Sequence, residues 1–256
     1  MTARSGTGRF PADYGFHGSK LIHTLGLAGI LLLAAAAYVF WDEALTAPWL
    51  IAAAIVGLHL GAWMLLGAGA LYWLLRVGRF LMRDRLMAQI PWRGDEQVLD
   101  VGCGAGIMLI AAAKRLPGGR AVGIDNWVKV HGEVSTAETV RANAEAEGVG
   151  ERVEARDGDA CNMDFAEATF DVVMCSFVLH HIEKSGRSAA AREMVRVLKP
   201  GGRLVVLDVQ YIGEIRDALI AAGTVEVKWP RVFRLAPIPR WVTARKPDDK
   251  VATAVQ

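Results

Sequence analysis

Apolar residues are laid out in two different ways along this chain. Before residue 80 most of them fall in two long uncharged runs, and after residue 95 they come in short blocks between polar stretches. Leu21–Trp41 is an uncharged run of 21 residues and Ala47–Leu75 is one of 29. A membrane-spanning helix needs about 20 apolar residues, so the first run spans with little tilt. The second exceeds a hydrocarbon layer of about 30 Å, so it tilts or emerges at one end. Only Asp42–Thr46 lies between them, which predicts a tight helical hairpin. The competing reading is two buried helices of a soluble core. Val77–Ile90 mixes Phe80, Leu81, Leu86 and Met87 with Arg79, Arg83, Asp84 and Arg85. That pattern suits an amphipathic helix lying on a membrane surface or a plain helical connector. Pro91-Trp92-Arg93-Gly94 marks a boundary.

Beyond it, strand-like and helix-like blocks alternate. Strands are predicted at Val98–Val101, Ala121–Ile124, Val153–Arg156, Phe170–Cys175 and Leu204–Asp208, and helices at Ile107–Leu116, Thr136–Glu147, Ser188–Leu198 and Glu214–Ala222. Lys199–Gly202 reads as a turn. Thr224–Trp229 and Trp241–Lys246 read as late strands joined by a proline-rich loop, with a disordered tail after Pro247. Such alternation predicts a doubly wound, mainly parallel α/β sheet preceded by a transmembrane helical hairpin. The expected divisions are 1–20 (N-terminal segment), 21–76 (hairpin), 77–93 (amphipathic linker), 94–247 (α/β domain) and 248–256 (tail).

Composition sharpens this picture at a few points. Hydrophobic residues are 53% of the chain and the mean hydropathy is +0.27, with the excess in the first 80 residues. A net charge of +2 leaves no nucleic-acid footprint. Cys103, Cys161 and Cys175 lie in or beside predicted strands without a Cys-x-x-Cys pair. They read as small buried residues of a reducing compartment, with no metal site. Arg4, Arg9 and Lys20 precede the hairpin and Arg76, Arg79, Arg83 and Arg85 follow it, while its tip holds Asp42 and Glu43. Both termini and the α/β domain are therefore expected on the cytoplasmic side. Residues 1–20 lack a cleavage site after a short apolar core, so a removed signal peptide is not expected. Gly57-x-x-x-Gly61 permits close helix approach, either closing the hairpin on itself or joining two copies into a homo-oligomer.

The chemistry gathers at Val98-Leu99-Asp100-Val101-Gly102-Cys103-Gly104-Ala105-Gly106, a buried strand that turns through glycines into a helix. Such a turn presents backbone N–H groups and a helix N-terminus to a ligand. It is not the dinucleotide fingerprint, because Ile107 stands where the last glycine belongs. No lysine accompanies the glycines; Asp100 precedes them instead, which favours a nucleoside with a cationic amino-acid arm. Asp125, 25 residues on, ends the next strand, where an acid can accept ribose hydroxyls. Asp159 and Ser176 also fall at strand ends.

These residues resemble the first motif of class I S-adenosylmethionine-dependent methyltransferases. Gly158-Asp159-Ala160 is similar to the family's adenine motif, and Phe170–Val173 and Leu198–Leu204 to its fourth- and fifth-strand motifs. The resemblance covers roughly 95–246 and implies a Rossmann-like, seven-stranded sheet whose last strand is antiparallel. It implies S-adenosylmethionine as cofactor, with Gly102, Cys103, Gly104 and Gly106 against its methionine part and Asp125 on the ribose. Asp159 and Ala160 are then placed on the adenine, with Asn126 or Trp127 as a further contact there.

Methyl transfer needs alignment and desolvation, and a base only when the acceptor loses a proton. In Leu179-His180-His181-Ile182, after the fourth strand, His180 and His181 are the base candidates, with capping or orienting the acceptor as their simpler role. The run looks more like small-molecule methyltransferases, quinone C-methylating ones included, than the DNA- and amide-directed branches with their Asn/Asp-Pro-Pro-Tyr. A membrane hairpin in place of the usual N-terminal cap suggests a lipophilic small molecule or lipid as acceptor, arriving from the bilayer; otherwise the hairpin is only an anchor. Tyr14, Phe16 and His131 are the candidate acceptor contacts, and Arg231, Phe233, Arg234 and Arg240 the candidate headgroup contacts. A non-catalytic S-adenosylmethionine-binding membrane sensor is the second reading, and a nicotinamide oxidoreductase the third.

Overall fold

The computed structural model describes residues 12–15, 19–42, 47–128, 135–229 and 240–248. Contacts divide it into two units: Gly15–Met82, and Met1–Tyr14 together with Arg83–Gln256. Among the described residues, 12–14 belong to the larger unit, and the chain returns to it at Arg83.

The smaller unit is a pair of helices, α1 (Ser19–Trp41) and α2 (Pro48–Trp73). Pro48 suits the first turn of α2, where its missing N–H would have no partner. Both helices are long and apolar enough to cross a membrane. Their apolar side chains are largely exposed, Leu27, Tyr38, Trp63 and Leu66 among them, so they are not core helices wrapped by other protein. Gly29 and Gly61 are their point of closest approach: a Cβ on Gly61 would lie 2.9 Å from the Gly29 carbonyl oxygen. Gly57 also faces α1, at Leu32 and Ala36. Both glycines of Gly57-x-x-x-Gly61 therefore serve packing within the hairpin. His59 donates from Nδ1 to Ile55 O on its own helix, at 2.7 Å.

α2 does not stop where its apolar run does. It passes through a π-helical turn, Leu74–Gly78, into α3 (Arg79–Met87), whose last residues Leu86 and Met87 are buried. Of the expected amphipathic linker 77–93, the final turn thus belongs to the core of the larger unit.

That unit is a seven-stranded sheet in the order β3-β2-β1-β4-β5-β7-β6. Its strands are β1 (Gln97–Val101), β2 (Arg120–Asp125), β3 (Val153–Asp157), β4 (Phe170–Ser176), β5 (Leu198–Asp208), β6 (Val225–Lys228) and β7 (Arg240–Arg245). β1 to β5 are parallel, and β7 is antiparallel to both β5 and β6. The helices are α4 (Ile107–Ala113), α5 (Ala137–Ala146), α6 (Lys184–Val197) and α7 (Ile212–Ala221). Apolar residues on the central strands are buried on both faces, as parallel sheets covered by helices require.

Two boundaries differ from expectation. Lys199–Gly202 is not a free turn but the start of β5, because Leu198 already pairs with Phe170 before the register shifts. α6 begins at Lys184, four residues earlier than its apolar pattern, since its first turn is polar. Asp171 works at the amino edge of the sheet, away from any strand carboxyl end. It accepts the Gln97 N–H at 2.9 Å and pairs with Lys199 at 2.8 Å, tying the starts of β1, β4 and β5 together.

The strand order reverses between β1 and β4. From β1 the chain winds one way to β2 and β3; from β4 it winds the other way to β5. Open α/β sheets bind ligands at the carboxyl ends flanking such a reversal.

Candidate active site

The glycine turn leaves β1 at that reversal. Gly102, Gly104 and Gly106 all have positive φ (+72°, +51°, +89°), a backbone region that other residues rarely adopt. At Gly102 a side chain is excluded twice over, because a Cβ would sit 2.1 Å from Val178 Cγ2. The segment leaving β4 therefore lies directly against the turn leaving β1. Over Gly104 a Cβ would meet nothing within 4 Å, so the backbone there faces open space. Cys103 is buried and fills the space above Gly123, and burial raises its thiol pKa well above the ordinary value.

Two acids flank the turn in different states. Asp125 accepts the Gly104 N–H at 2.9 Å with one oxygen and the Trp127 N–H at 2.8 Å with the other. It is locked to the glycine turn across two strands, with lone pairs left for a ligand. Asp100 is 1% exposed, and neither of its oxygens has a hydrogen-bond partner. Burial pushes its pKa up to about 7, opposed in part by the nearby Leu109 amide, which is too poorly placed for a full hydrogen bond, and reinforced by the Asp125 charge. An orphaned carboxylate beneath an open glycine cradle fits a ligand that brings a positive group.

The other predicted contacts are spread along the same edge. Trp127 donates its indole N–H to Asp157 Oδ1, a partner the sequence reading overlooked although Asp157 also ends a strand. Asn126 is exposed and turns back to the Val128 N–H. Asp159 is exposed and caps its own turn by accepting the Cys161 N–H at 2.8 Å; Ala160 is half-buried beside it. Ser176 ends β4.

On the other side of the reversal stands a pair the sequence reading saw only half of. His180 Nδ1 lies 2.7 Å from Asp208 Oδ1, close enough for an ion pair but turned so that it makes no hydrogen bond. Asp208 ends β5, is fully buried, and also accepts the backbone N–H groups of His180 (3.2 Å) and Val209 (2.7 Å). The clue was an acid at a strand's carboxyl end, the same clue that singled out Asp125. The His181 ring is exposed and tilted against His180 at 3.9 Å between centroids.

Tyr14 is placed differently from its expected acceptor contact. It is buried against α5, with its hydroxyl donating to Glu147 Oε1 at 3.2 Å, so it is committed to the β1–β3 half of the sheet. Its neighbour Asp13 is gripped by Asn143, whose amide bonds both the Asp13 N–H (2.7 Å) and Asp13 O (2.8 Å). The same amide donates to Ala105 O at 3.0 Å, so one buried side chain ties the N-terminal segment to the glycine turn. Nothing marked Asn143 in the sequence; it sits on a helix face like any other polar residue. Phe16, His131, Arg231, Phe233 and Arg234 lie outside the described residues, as does the tail beyond Asp248.

Comparison with known proteins agrees with this arrangement. A family profile for the methyltransferase domain matches residues 98–202. The chain is 35% identical over 127 residues to demethylmenaquinone methyltransferase from Lactiplantibacillus plantarum, covering 49% of this chain and 50% of that protein. It is 34% identical over 128 residues to the ubiquinone/menaquinone biosynthesis C-methyltransferase UbiE of Cereibacter sphaeroides, covering 50% and 48%. Identity to 27-O-demethylrifamycin SV methyltransferase of Amycolatopsis mediterranei is 35% over 130 residues, covering 50% and 43%. The chain thus spans about half the length of the curated relatives it matches. Among solved structures, the [4+2]-cyclase SpnF superposes with a TM-score of 0.54 at 20% identity, covering 66% of this chain and 82% of that one. A SAM-dependent methyltransferase from Aquifex aeolicus gives 0.50 at 20%, covering 64% and 88%. These structural likenesses show the fold alone. The methyltransferase-domain profile thus runs from β1 through the start of β5, on a sheet with the class I S-adenosylmethionine-dependent methyltransferase fold.

Proposed function

We propose that the protein is a membrane-anchored methyltransferase that uses S-adenosylmethionine to methylate a lipophilic small molecule or lipid, with His180 as general base. The observation that carries the catalytic part is the His180–Asp208 pair beside the glycine turn.

The residues present fit the cofactor. Asp100 offers an unpartnered carboxylate for an ammonium group. The Gly102–Gly106 backbone is open over Gly104, and Asp125 is oriented toward the turn with acceptor capacity to spare for ribose hydroxyls. Trp127, Asp159 and Ala160 lie toward the β2–β3 side, where adenine would rest. When bound, S-adenosylmethionine supplies a methyl group on a sulfonium, already electrophilic enough to need no further activation.

The remaining work falls to the protein's own groups. A small rotation of the His180 ring would turn an Nδ1–H onto Asp208 and leave Nε2 to accept a proton from the acceptor. Asp208 holds the ring's orientation and offers a countercharge once Nε2 is protonated. Its own oxygens are steadied by two backbone N–H groups, so it cannot swing away from the ring without breaking them.

Anchoring rests on the exposed apolar faces of α1 and α2, which water would not tolerate in a patch of that size. It rests also on connectivity, because the hairpin leaves the larger unit after Tyr14 and returns to it at Arg83. With Arg76, Arg79, Arg83 and Arg85 at the returning end and Asp42 at the tip, the domain lies on the cytoplasmic side.

The test uses the full chain in lipid vesicles with methyl-labelled S-adenosylmethionine and a lipid extract as acceptor source. Label should enter the organic phase. His180→Ala and Asp208→Asn should each lower turnover by about 10²- to 10⁴-fold while S-adenosylhomocysteine binds as before. Unchanged turnover in both variants would remove the base assignment. Tight cofactor binding with no label transfer would point to the sensor reading instead.

A further inference from the structure

Arg187 is a buried cation in the first turn of α6, with 10% of its side chain exposed. Arginine is seldom buried unless its charge is paired. Here the guanidinium reaches three separate points of the chain. Its Nε donates to Ile182 O at 2.9 Å, and one terminal nitrogen donates to the Glu214 carboxylate at 2.6 Å. Its flat face covers the Tyr211 ring, 3.6 Å from the centroid. Ile182 closes the short helical turn Leu179–His181 that carries His180. Tyr211 and Glu214 open α7, which follows Asp208 at the end of β5.

The segments that Arg187 joins are the two that bring His180 and Asp208 together. The His180 N–H bonds Asp208 Oδ2 at 3.2 Å. Within the turn, the His181 N–H bonds Val178 O at 3.0 Å and the Ile182 N–H bonds Leu179 O at 3.2 Å, so Ile182 and His180 move as one short unit. That unit is fastened to the chain after β4's neighbour β5 twice, by Asp208 at His180 and through Arg187 at Ile182. A buried ion pair adds little net stability over an apolar side chain of the same size, because desolvation offsets the attraction. What a guanidinium adds is a rigid planar fork that fixes its acceptors at set angles. The setting matters at this point, since His180 Nδ1 lies 2.7 Å from Asp208 Oδ1 yet is turned off a hydrogen bond. A displacement of about 0.5 Å is enough to spoil or complete such an arrangement.

We infer that Arg187 is a positioning residue for His180: by clamping Ile182 O to Glu214 and Tyr211, it sets the turn after β4 against the start of α7, and with it the angle at which His180 meets Asp208. This rests on the function proposed above, in which His180 is the base, and adds the part that aims it. Arg187 acts through the backbone, from a carbonyl two residues beyond the histidine. A role through charge alone is disfavoured, because the Glu214 carboxylate at 2.6 Å already balances the guanidinium. Lysine would bring the same charge as a single point and could not hold Ile182 O, Glu214 and the Tyr211 face together.

The test reads the turn directly, by residue-resolved amide hydrogen exchange of the full chain in detergent micelles. In Arg187→Met and in Arg187→Lys the His180 amide, bonded to Asp208, should exchange about tenfold faster or more, while the Gly104 amide, bonded to Asp125 on the other half of the site, exchanges as in the parent. Glu214→Gln keeps an acceptor without the charge and should speed the same His180 amide by a smaller factor; it decides the matter if the Arg187 variants do not fold. Unchanged exchange at His180, equal acceleration at Gly104, or parent-like behaviour of Arg187→Lys would each overturn the clamp. A second arm measures transfer of labelled methyl groups to the lipid extract. Arg187→Met should lower turnover about 10- to 100-fold in the parent, and by no more than about twofold in a His180→Ala background, because a residue that works through His180 has nothing left to aim. Equal losses in the two backgrounds would overturn the positioning role. If His180→Ala itself leaves turnover unchanged, the base assignment fails, and the exchange rates still decide whether Arg187 sets the turn.

Discussion

Replacing Asp100 with asparagine should free the domain's stability from much of its pH dependence. The Asp100 carboxyl has an ordinary pKa of 3.8 and one of about 7 in the fold, raised chiefly by burial. For an acid shifted upward, the folded state keeps a proton that the unfolded chain releases. Stability is therefore greatest below the unfolded pKa and declines as pH rises from 3.8 toward 7, where the full cost is reached. A difference of about 3 pKa units corresponds to about 4 kcal/mol across that window. Asparagine removes the titration and leaves a neutral amide unsatisfied, at a pH-independent cost of about 1–3 kcal/mol. Comparing variant with parent cancels every other titrating group. The thermal midpoint of the full chain in detergent micelles, measured from pH 5 to pH 8, should shift in favour of Asp100→Asn by about 5–10 °C over the series, at about 2–4 °C per kcal/mol. A flat difference would refute the buried, unpaired state of Asp100. The ligand arm is equally direct. If Asp100 receives a cationic group, parent affinity for S-adenosylhomocysteine should rise from pH 5 to pH 7 as the carboxylate forms, and Asp100→Asn should lack that rise. Parallel pH profiles for the two proteins would show that the cation goes elsewhere.

Two further perturbations probe the turn and its support. Gly102→Ala forces a Cβ to 2.1 Å from Val178 Cγ2 at a φ of +72°, so it should destabilise the domain by about 2–4 kcal/mol; a thermal midpoint equal to the parent's would show that the two turns do not press together. Asn143→Ala removes the amide that joins Asp13 to Ala105 O. It should expose the N-terminal segment to proteolysis and weaken S-adenosylhomocysteine binding by about 1–3 kcal/mol, and unchanged affinity would mean the glycine turn holds its shape without that support.

The glycine-turn half of the candidate site was legible in the sequence because its parts are local. Strand, acid, glycine turn and helix follow one another within 98–113, and Asp125 is announced by the end of the next strand. The half that holds His180 was not. His180 and Asp208 are 28 residues apart, and only the parallel register of β4 against β5 brings their side chains to 2.7 Å. Lys199-Pro200-Gly201-Gly202 has every local mark of a turn, yet pairing with Phe170 and β7's approach from the other side draw it into the strand. Tyr14 was expected to reach an acceptor from the N-terminal segment. Its partner Glu147, and Asn143 that grips the neighbouring Asp13, lie some 130 residues away, and no local pattern predicts them.

By itself, then, the amino-acid order determined what short-range physics controls. It set two uncharged runs long and apolar enough to cross a membrane, an alternation of blocks that winds into a mainly parallel sheet, and a glycine turn that accepts no Cβ. Tertiary structure decided what depends on distant strands meeting. It put the reversal of strand order between β1 and β4, which selects the edge where a ligand binds. It buried Asp100 with no partner, and it gave His180 its acid. Those features are sums of long-range packing, in which each residue's chemistry is set by neighbours that the chain delivers from far along its length.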